Sequence, residues 1–82
     1  MLSQRDIQVL DFESNWWHYP EPKDRAIREY LGMSSTRYYQ ALRRLIDDDF
    51  AVVAYPLVIR RLRHMRRERL EALARRLDTT VG

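Results

Sequence analysis

Six of the ten residues from Arg60 to Arg69 (RRLRHMRRER) are arginine. A guanidinium forks onto phosphate through parallel N–H···O bonds and stacks on base faces. So dense a run sets up a positive field that draws a polyanion. A second set lies upstream: Ser35, Thr36, Arg37, Tyr39, Gln40, Arg43 and Arg44. Arginine matches O6 and N7 of guanine, and glutamine matches N6 and N7 of adenine. Ser, Thr and Tyr hydroxyls donate to phosphate. These chemistries predict DNA base contacts from Ser35, Thr36, Arg37, Tyr39, Gln40 and Arg43, and phosphate contacts from Arg44, Arg60, Arg61, Arg63, His64 and Arg67.

The charge distribution agrees. Residues 1–55 hold 7 basic and 9 acidic side chains, whereas residues 56–82 hold 8 basic and 3 acidic, so the net +3 sits at the C-terminal end. All basic residues except Lys23 are arginine. The bias of a GC-rich genome explains that ratio as well as nucleic-acid binding does, but not the clustering.

Little points to catalysis. His18 and His64 lie on different segments, and the arginines around His64 disfavour both a metal and an extra proton. Asp47, Asp48 and Asp49 resemble a metal cluster, but consecutive side chains at a helix end diverge, so a solvated stop signal is the simpler reading. With no cysteine, thiolate chemistry and cysteine-ligated zinc are excluded. Gly32 and Gly82 are the only glycines, too few for a phosphate-cradling loop. The expectation is no enzyme, no metal and no cofactor. No apolar run nears the roughly 20 residues of a membrane span, and MLSQRDIQVL lacks the build of a signal peptide. A cytoplasmic, nucleoid-associated protein is expected, with no membrane partner. Trp16, Trp17, His18 and Tyr19 have rings that stack on single-stranded bases, but core packing with one ring exposed is the simpler use.

These residues need elements to position them, and 82 residues make one domain. Its centre is Asp24–Ile46. Apolar residues recur at helical spacing on both sides of Gly32-Met33-Ser34: Ala26, Ile27, Tyr30 and Leu31 before it, and Tyr38, Ala41, Leu42, Leu45 and Ile46 after it. Gly32 suits the left-handed helix stop, and Ser34 suits the next N-cap. Two helices about a short glycine turn form a helix-turn-helix, here with helices over about 22–31 and 35–47. With Tyr38, Leu42 and Leu45 facing inward, the polar set above faces outward, and Tyr39 lies on the surface.

A preceding helix is predicted from Ser3 to Trp17, opened by a Ser3/Asp6 capping box. At helical spacing Ile7, Leu10 and Trp17 share one face, and Val9, Phe12, Trp16 and Tyr19 nearly the opposite one. That pattern puts Trp17 in the core and leaves a second face for the C-terminal helix or another subunit. Pro22 is placed to start the second helix. Asp49 is placed to cap a short turn over Phe50–Ala54, and Pro56 to open a last helix over about 56–77. The last helix carries an apolar stripe of Ile59, Leu62, Met65, Leu70, Leu73 and Leu77, interrupted by Arg66 and Arg69, with Arg60, Arg63, His64 and Arg67 opposite. Its first part packs on the domain, and its second part projects or pairs with another chain. Asp78 to Gly82 is expected to fray.

Three motifs carry a family resemblance: F-E-x-x-W-W (Phe12–Trp17), A-I-R-E-x-x-G-M-S-x-T-R-Y-Y-Q-x-L (Ala26–Leu42), and Pro56, Leu57 and Val58 followed by Arg60 or Arg61, Leu62 and Arg63. Together the chain resembles a set of small actinobacterial and actinophage proteins, classed as a domain of unknown function with a helix-turn-helix. The resemblance implies a helical, DNA-binding-like fold in a bacterial or bacteriophage setting. The segment Asp47–Tyr55 departs from the pattern, which commonly has a proline after the acidic residues. A likeness to the promoter-reading domains of sigma factors is analogy at the level of fold.

The sequence is therefore read as all-α, a single domain over residues 1–82. A trihelical helix-turn-helix core spans about 3–55, and a long Arg-rich helix follows. The expected function is double-stranded DNA binding in transcription regulation or chromosome association, with the third helix in the major groove. The alternative is a protein-interaction module that binds RNA polymerase or a sigma factor. A homodimer is the further partner expected.

Overall fold

Ser3 opens the first helix. Its hydroxyl accepts from the Asp6 N–H at 3.0 Å, and the Asp6 carboxylate accepts from the Ser3 N–H at 3.1 Å. This capping box satisfies donors that the first turn leaves without partners. A computed structural model describes residues 1–81 of the chain, with side chains through Asp78. Among the described residues the regular elements are all helical, and no strand occurs.

The first helix, α1 (Gln4–Glu13), is shorter than the Ser3–Trp17 span expected. The Ser14 hydroxyl donates to the Asp11 carbonyl at 2.6 Å, and Asn15 leaves the helical region at φ −152°, ψ 23°. Serine and asparagine compete with a helix for its backbone bonds. A 3-10 turn, Trp16–His18, follows, the tighter geometry common at helix ends. The break re-aims both tryptophans. Trp16 packs against the core, and Trp17 is 49% exposed. The expected burial of Trp17 is thus reversed, because an uninterrupted helix was assumed through Ser14 and Asn15.

Pro22 precedes the second helix as its N-cap, with an extended ψ of 149°, one residue earlier than the first-turn position expected. The second helix, α2, begins as the α-helical Lys23–Ala26 and continues as a π-helical turn, Ile27–Leu31. Gly32 ends it at φ 65°, ψ 30°, and its N–H bonds the Arg28 carbonyl at 3.1 Å. A Cβ there would meet nothing within 4 Å, so backbone strain rather than space favours glycine.

Ser34 caps the third helix, α3 (Ser35–Leu45), by accepting from the Arg37 N–H at 3.2 Å. Tyr38, Leu42 and Leu45 are buried, as expected. Asp6 bonds Arg44 and Glu13 bonds Tyr38, so α1 and α3 run antiparallel. Val9, Leu10 and Phe12 of α1 and Ala26 and Ile27 of α2 complete the buried centre between them.

The acidic triplet separates. Asp47 faces Arg66 on the last helix. Asp48, not Asp49, is the cap: its carboxylate accepts from the N–H groups of Phe50 and Ala51 at 2.8 and 3.1 Å. Asp49 becomes the first residue of a true helix, α4 (Asp49–Ala54), where a short turn was expected. Among the described residues five helices therefore stand where four were anticipated. Pro56 begins the last helix, α5 (Pro56–Val81), which extends past the expected end at residue 77. At about 1.5 Å per residue its 26 residues span about 39 Å, most of the molecule's 47 Å length. Val58 and Ile59 are buried and Leu62 packs against the core, whereas Met65, Leu70, Leu73 and Leu77 are exposed.

Candidate nucleic-acid interface

Ser34 and Gly32 fix where α3 begins, and the burial of Tyr38, Leu42 and Leu45 fixes its rotation. Thr36, Arg37, Tyr39, Gln40 and Arg43 are left exposed, and Ser35 is half-buried. Among the described residues Arg37 and Arg43 have no ion pair or hydrogen bond through their side chains. Arg44 differs: its guanidinium donates to Asp6 at 2.5 Å.

The basic helix divides in the same way. Arg61 donates to the Glu13 carbonyl at 2.7 Å and lies 3.7 Å from the Glu13 carboxylate. Arg63 donates to the Ile46 carbonyl at 3.1 Å. Each guanidinium thus sits at the C-terminal end of a helix, where carbonyls lack partners and a cation is favoured. Arg66 faces Asp47 at 3.4 Å. Arg60 and Arg67 are exposed without internal partners among the described residues. His64 is exposed and lies 3.1 Å from Glu68. Of the six side chains expected on phosphates, Arg44, Arg61 and Arg63 are committed to the fold, and Arg60, His64 and Arg67 face outward.

A cluster behind α3 was not anticipated. Glu13 is 3% exposed. Its carboxylate accepts from the Tyr38 hydroxyl at 2.5 Å and pairs with Lys23 at 2.9 Å. Lys23, the sole lysine, also lies 4.9 Å from the Trp16 ring centre and 5.3 Å from that of Tyr39. Arg61 covers Trp17 at 5.0 Å. Cations over aromatic faces are attracted by the ring quadrupole. Burial, then the bond to Glu13, pushes the Tyr38 hydroxyl far above its ordinary pKa. One signal was present in the sequence. Asp6, Leu10 and Glu13 fall at i, i+4 and i+7, one helical stripe, so both carboxylates share the buried face of α1 and need partners.

Two further carboxylates hold the frame. Burial opposes ionisation of Asp6, but the bonds from Arg44 and Ser3 outweigh it, so its pKa lies below the ordinary value. The Tyr55 hydroxyl donates to Asp11 at 2.6 Å, and that bond, with some burial, raises its pKa to about 12. No group of three His, Cys, Asp or Glu side chains suited to a metal occurs among the described residues. Nor is any helix there long and apolar enough to cross a membrane.

These features define a small all-helical domain that presents one polar, arginine-bearing helix face and a projecting basic helix. The chain belongs to the family described as a protein of unknown function (DUF3263), whose family model matches residues 1–75. No curated protein and no solved structure matches it.

Proposed function

We propose that the protein binds double-stranded DNA, as a small transcriptional regulator or chromosome-associated factor. In this reading α2, the Gly32 turn and α3 form a helix-turn-helix on α1, and α3 enters the major groove. The observation that carries it is the exposed face of α3: Thr36, Arg37 and Gln40 lie toward the capped N-terminal end, Arg43 follows in the last turn, and both arginines lack internal partners among the described residues. A recognition helix uses such N-terminal, outward positions. Arg60, His64 and Arg67 add phosphate contacts.

Selection from a random duplex pool, followed by anisotropy titration, tests this. Gln40→Ala and Arg43→Ala should each cost about 1–3 kcal/mol on the selected site and relax its preference. Replacing Arg60, His64 and Arg67 together by Gln should weaken selected and random duplexes alike and reduce the salt slope by about two units. Unchanged affinity and preference in both single variants would remove α3 as the reader. A second reading, binding to RNA polymerase or a sigma factor, is favoured by Phe50, Val53 and Leu57, three apolar side chains exposed around the α4–α5 junction. It predicts a folded protein that binds no duplex and loses its protein partner on Val53→Asp.

A further inference from the structure

Beyond Leu62, the last α5 side chain packed on the core, Leu70, Leu73 and Leu77 continue at i, i+3 and i+7 and are 59%, 49% and 57% exposed. At about 100° per residue they fill a sector of about 60°. Arg66 falls inside that sector, where it faces Asp47 at 3.4 Å, and Arg69 lies about 40° beyond Leu73. Arg69 is exposed and has no internal partner among the described residues. The carboxylates of this stretch, Glu68, Glu71 and Asp78, all lie about 100° or more from the sector's centre. The strip is therefore apolar along its middle and basic on and beside it. It is also distinct from the direction of Arg60 and His64, so two partners can be held at once.

This charge pattern selects the occupant. A parallel second copy would set Arg66 against Arg66 and Arg69 against Arg69. An antiparallel copy would still bring basic edges together, and Asp47, which faces Arg66 at 3.4 Å, offsets that one charge and leaves Arg69 without a carboxylate partner among the described residues. Like charges at such positions set partner choice against self-pairing. We propose that the distal half of α5 is a docking strip for an amphipathic helix of a partner protein, whose apolar stripe is flanked by aspartate and glutamate. Leucines supply the buried seam, and Arg69, which unlike Arg66 has no internal partner among the described residues, leads the selection for acid. The inference does not depend on the DNA reading, because it uses another face of α5.

The test titrates the full chain against two labelled helical peptides of four heptads. Both carry leucine at the a and d positions, with glutamate at e and g in one and lysine in the other. The acidic peptide should bind at least tenfold more tightly, and added salt should narrow the difference. Leu73→Gln keeps helix propensity and alters an exposed site, so the variant should fold by circular dichroism yet lose at least tenfold in affinity for the acidic peptide. Arg69→Glu should shift preference toward the lysine peptide. Equal binding of the two peptides, or acidic-peptide binding indifferent to both substitutions, overturns the proposal. So does a sedimenting dimer that Leu73→Gln disperses, because the occupant would then be a second copy.

Discussion

Replacing Glu13 by alanine strands three groups at once: the Tyr38 hydroxyl, the Lys23 ammonium and the Arg61 guanidinium. Tyr38 is fully buried, and an orphaned buried donor costs about 1–3 kcal/mol. Removing one partner of a buried ion pair costs about 3–5 kcal/mol, because the other charge stays behind. The side chains of Lys23 and Arg61 retain 20% and 37% exposure, so water relieves part of that penalty. The expected loss for Glu13→Ala is about 3 kcal/mol, near the low end of that range. Glu13→Gln keeps an acceptor for Tyr38 and exchanges a charge-assisted bond for a neutral one, so about 1–2 kcal/mol is expected.

In a domain of this size each kcal/mol lowers Tm by about 4–8 °C. Thermal unfolding followed by circular dichroism should therefore show a drop of at least about 12 °C for Glu13→Ala and a smaller one for Glu13→Gln. Tyr38→Phe supplies the second edge of a double-mutant cycle. Combined with Glu13→Ala, its effect should fall short of additive by at least about 0.5 kcal/mol, because the two side chains share one bond. An exposed carboxylate would cost within about 0.5 kcal/mol when removed. A Glu13→Ala protein that melts within a few degrees of the parent would refute the assignment of Glu13 as the buried anchor of α1, α2, α3 and α5.

The tryptophans separate by the same kind of measurement. Trp16→Ala should cost about 2–3 kcal/mol in urea unfolding as a partly buried analogue of core truncation, and Trp17→Ala about 0.5–1 kcal/mol from the lost Arg61 contact; the reverse order would contradict the break at Ser14 and Asn15. Asp6 has a depressed pKa in the folded chain, so its contribution is present above its ordinary value near pH 4 and is lost as pH falls through the folded value. The stability gap between the parent and Asp6→Asn should therefore shrink below about pH 4, and a gap constant with pH would exclude the linkage. Tyr55 has a raised pKa of about 12, so its contribution holds below its ordinary value near pH 10 and is lost as pH rises from there toward 12. Tyr55→Phe should accordingly show a smaller alkaline loss of stability across that interval, read from urea midpoints.

Local chemistry made much of the fold legible. Ser3 with Asp6, Gly32, Ser34 and Pro56 each act within a few residues of themselves, and each ends or begins a helix where its stereochemistry requires. The periodicity of Tyr38, Leu42 and Leu45 fixed the inward face of α3 for the same reason. Errors arose where two local preferences competed. Ser14 and Asn15 could sit inside a helix or leave it, and the choice decided which tryptophan turned inward. Either Asp48 or Asp49 could cap α4, and the cap fell to the one whose carboxylate reached two N–H groups. The Glu13–Lys23–Arg61 cluster was illegible in another sense. Its members lie 10 and 48 positions from Glu13 in the sequence, and only tertiary packing brings them together.

Arginine content alone does not tell which guanidiniums make internal bonds, and the reason is structural. The start of α5 lies against the C-terminal ends of α1 and α3, where carbonyls lack helical partners. Arg61 and Arg63 are drawn there, to the carbonyls of Glu13 and Ile46, and withdrawing either for a phosphate would leave a carbonyl unpaired. Arg60 and Arg67 flank them along the helix and are exposed. One basic run thus does two jobs: Arg61, Arg63 and Arg66 hold the helix to the domain, whereas Arg60 and Arg67 are exposed with no internal partner among the described residues. Net charge counts both kinds equally. A binding footprint depends only on the second.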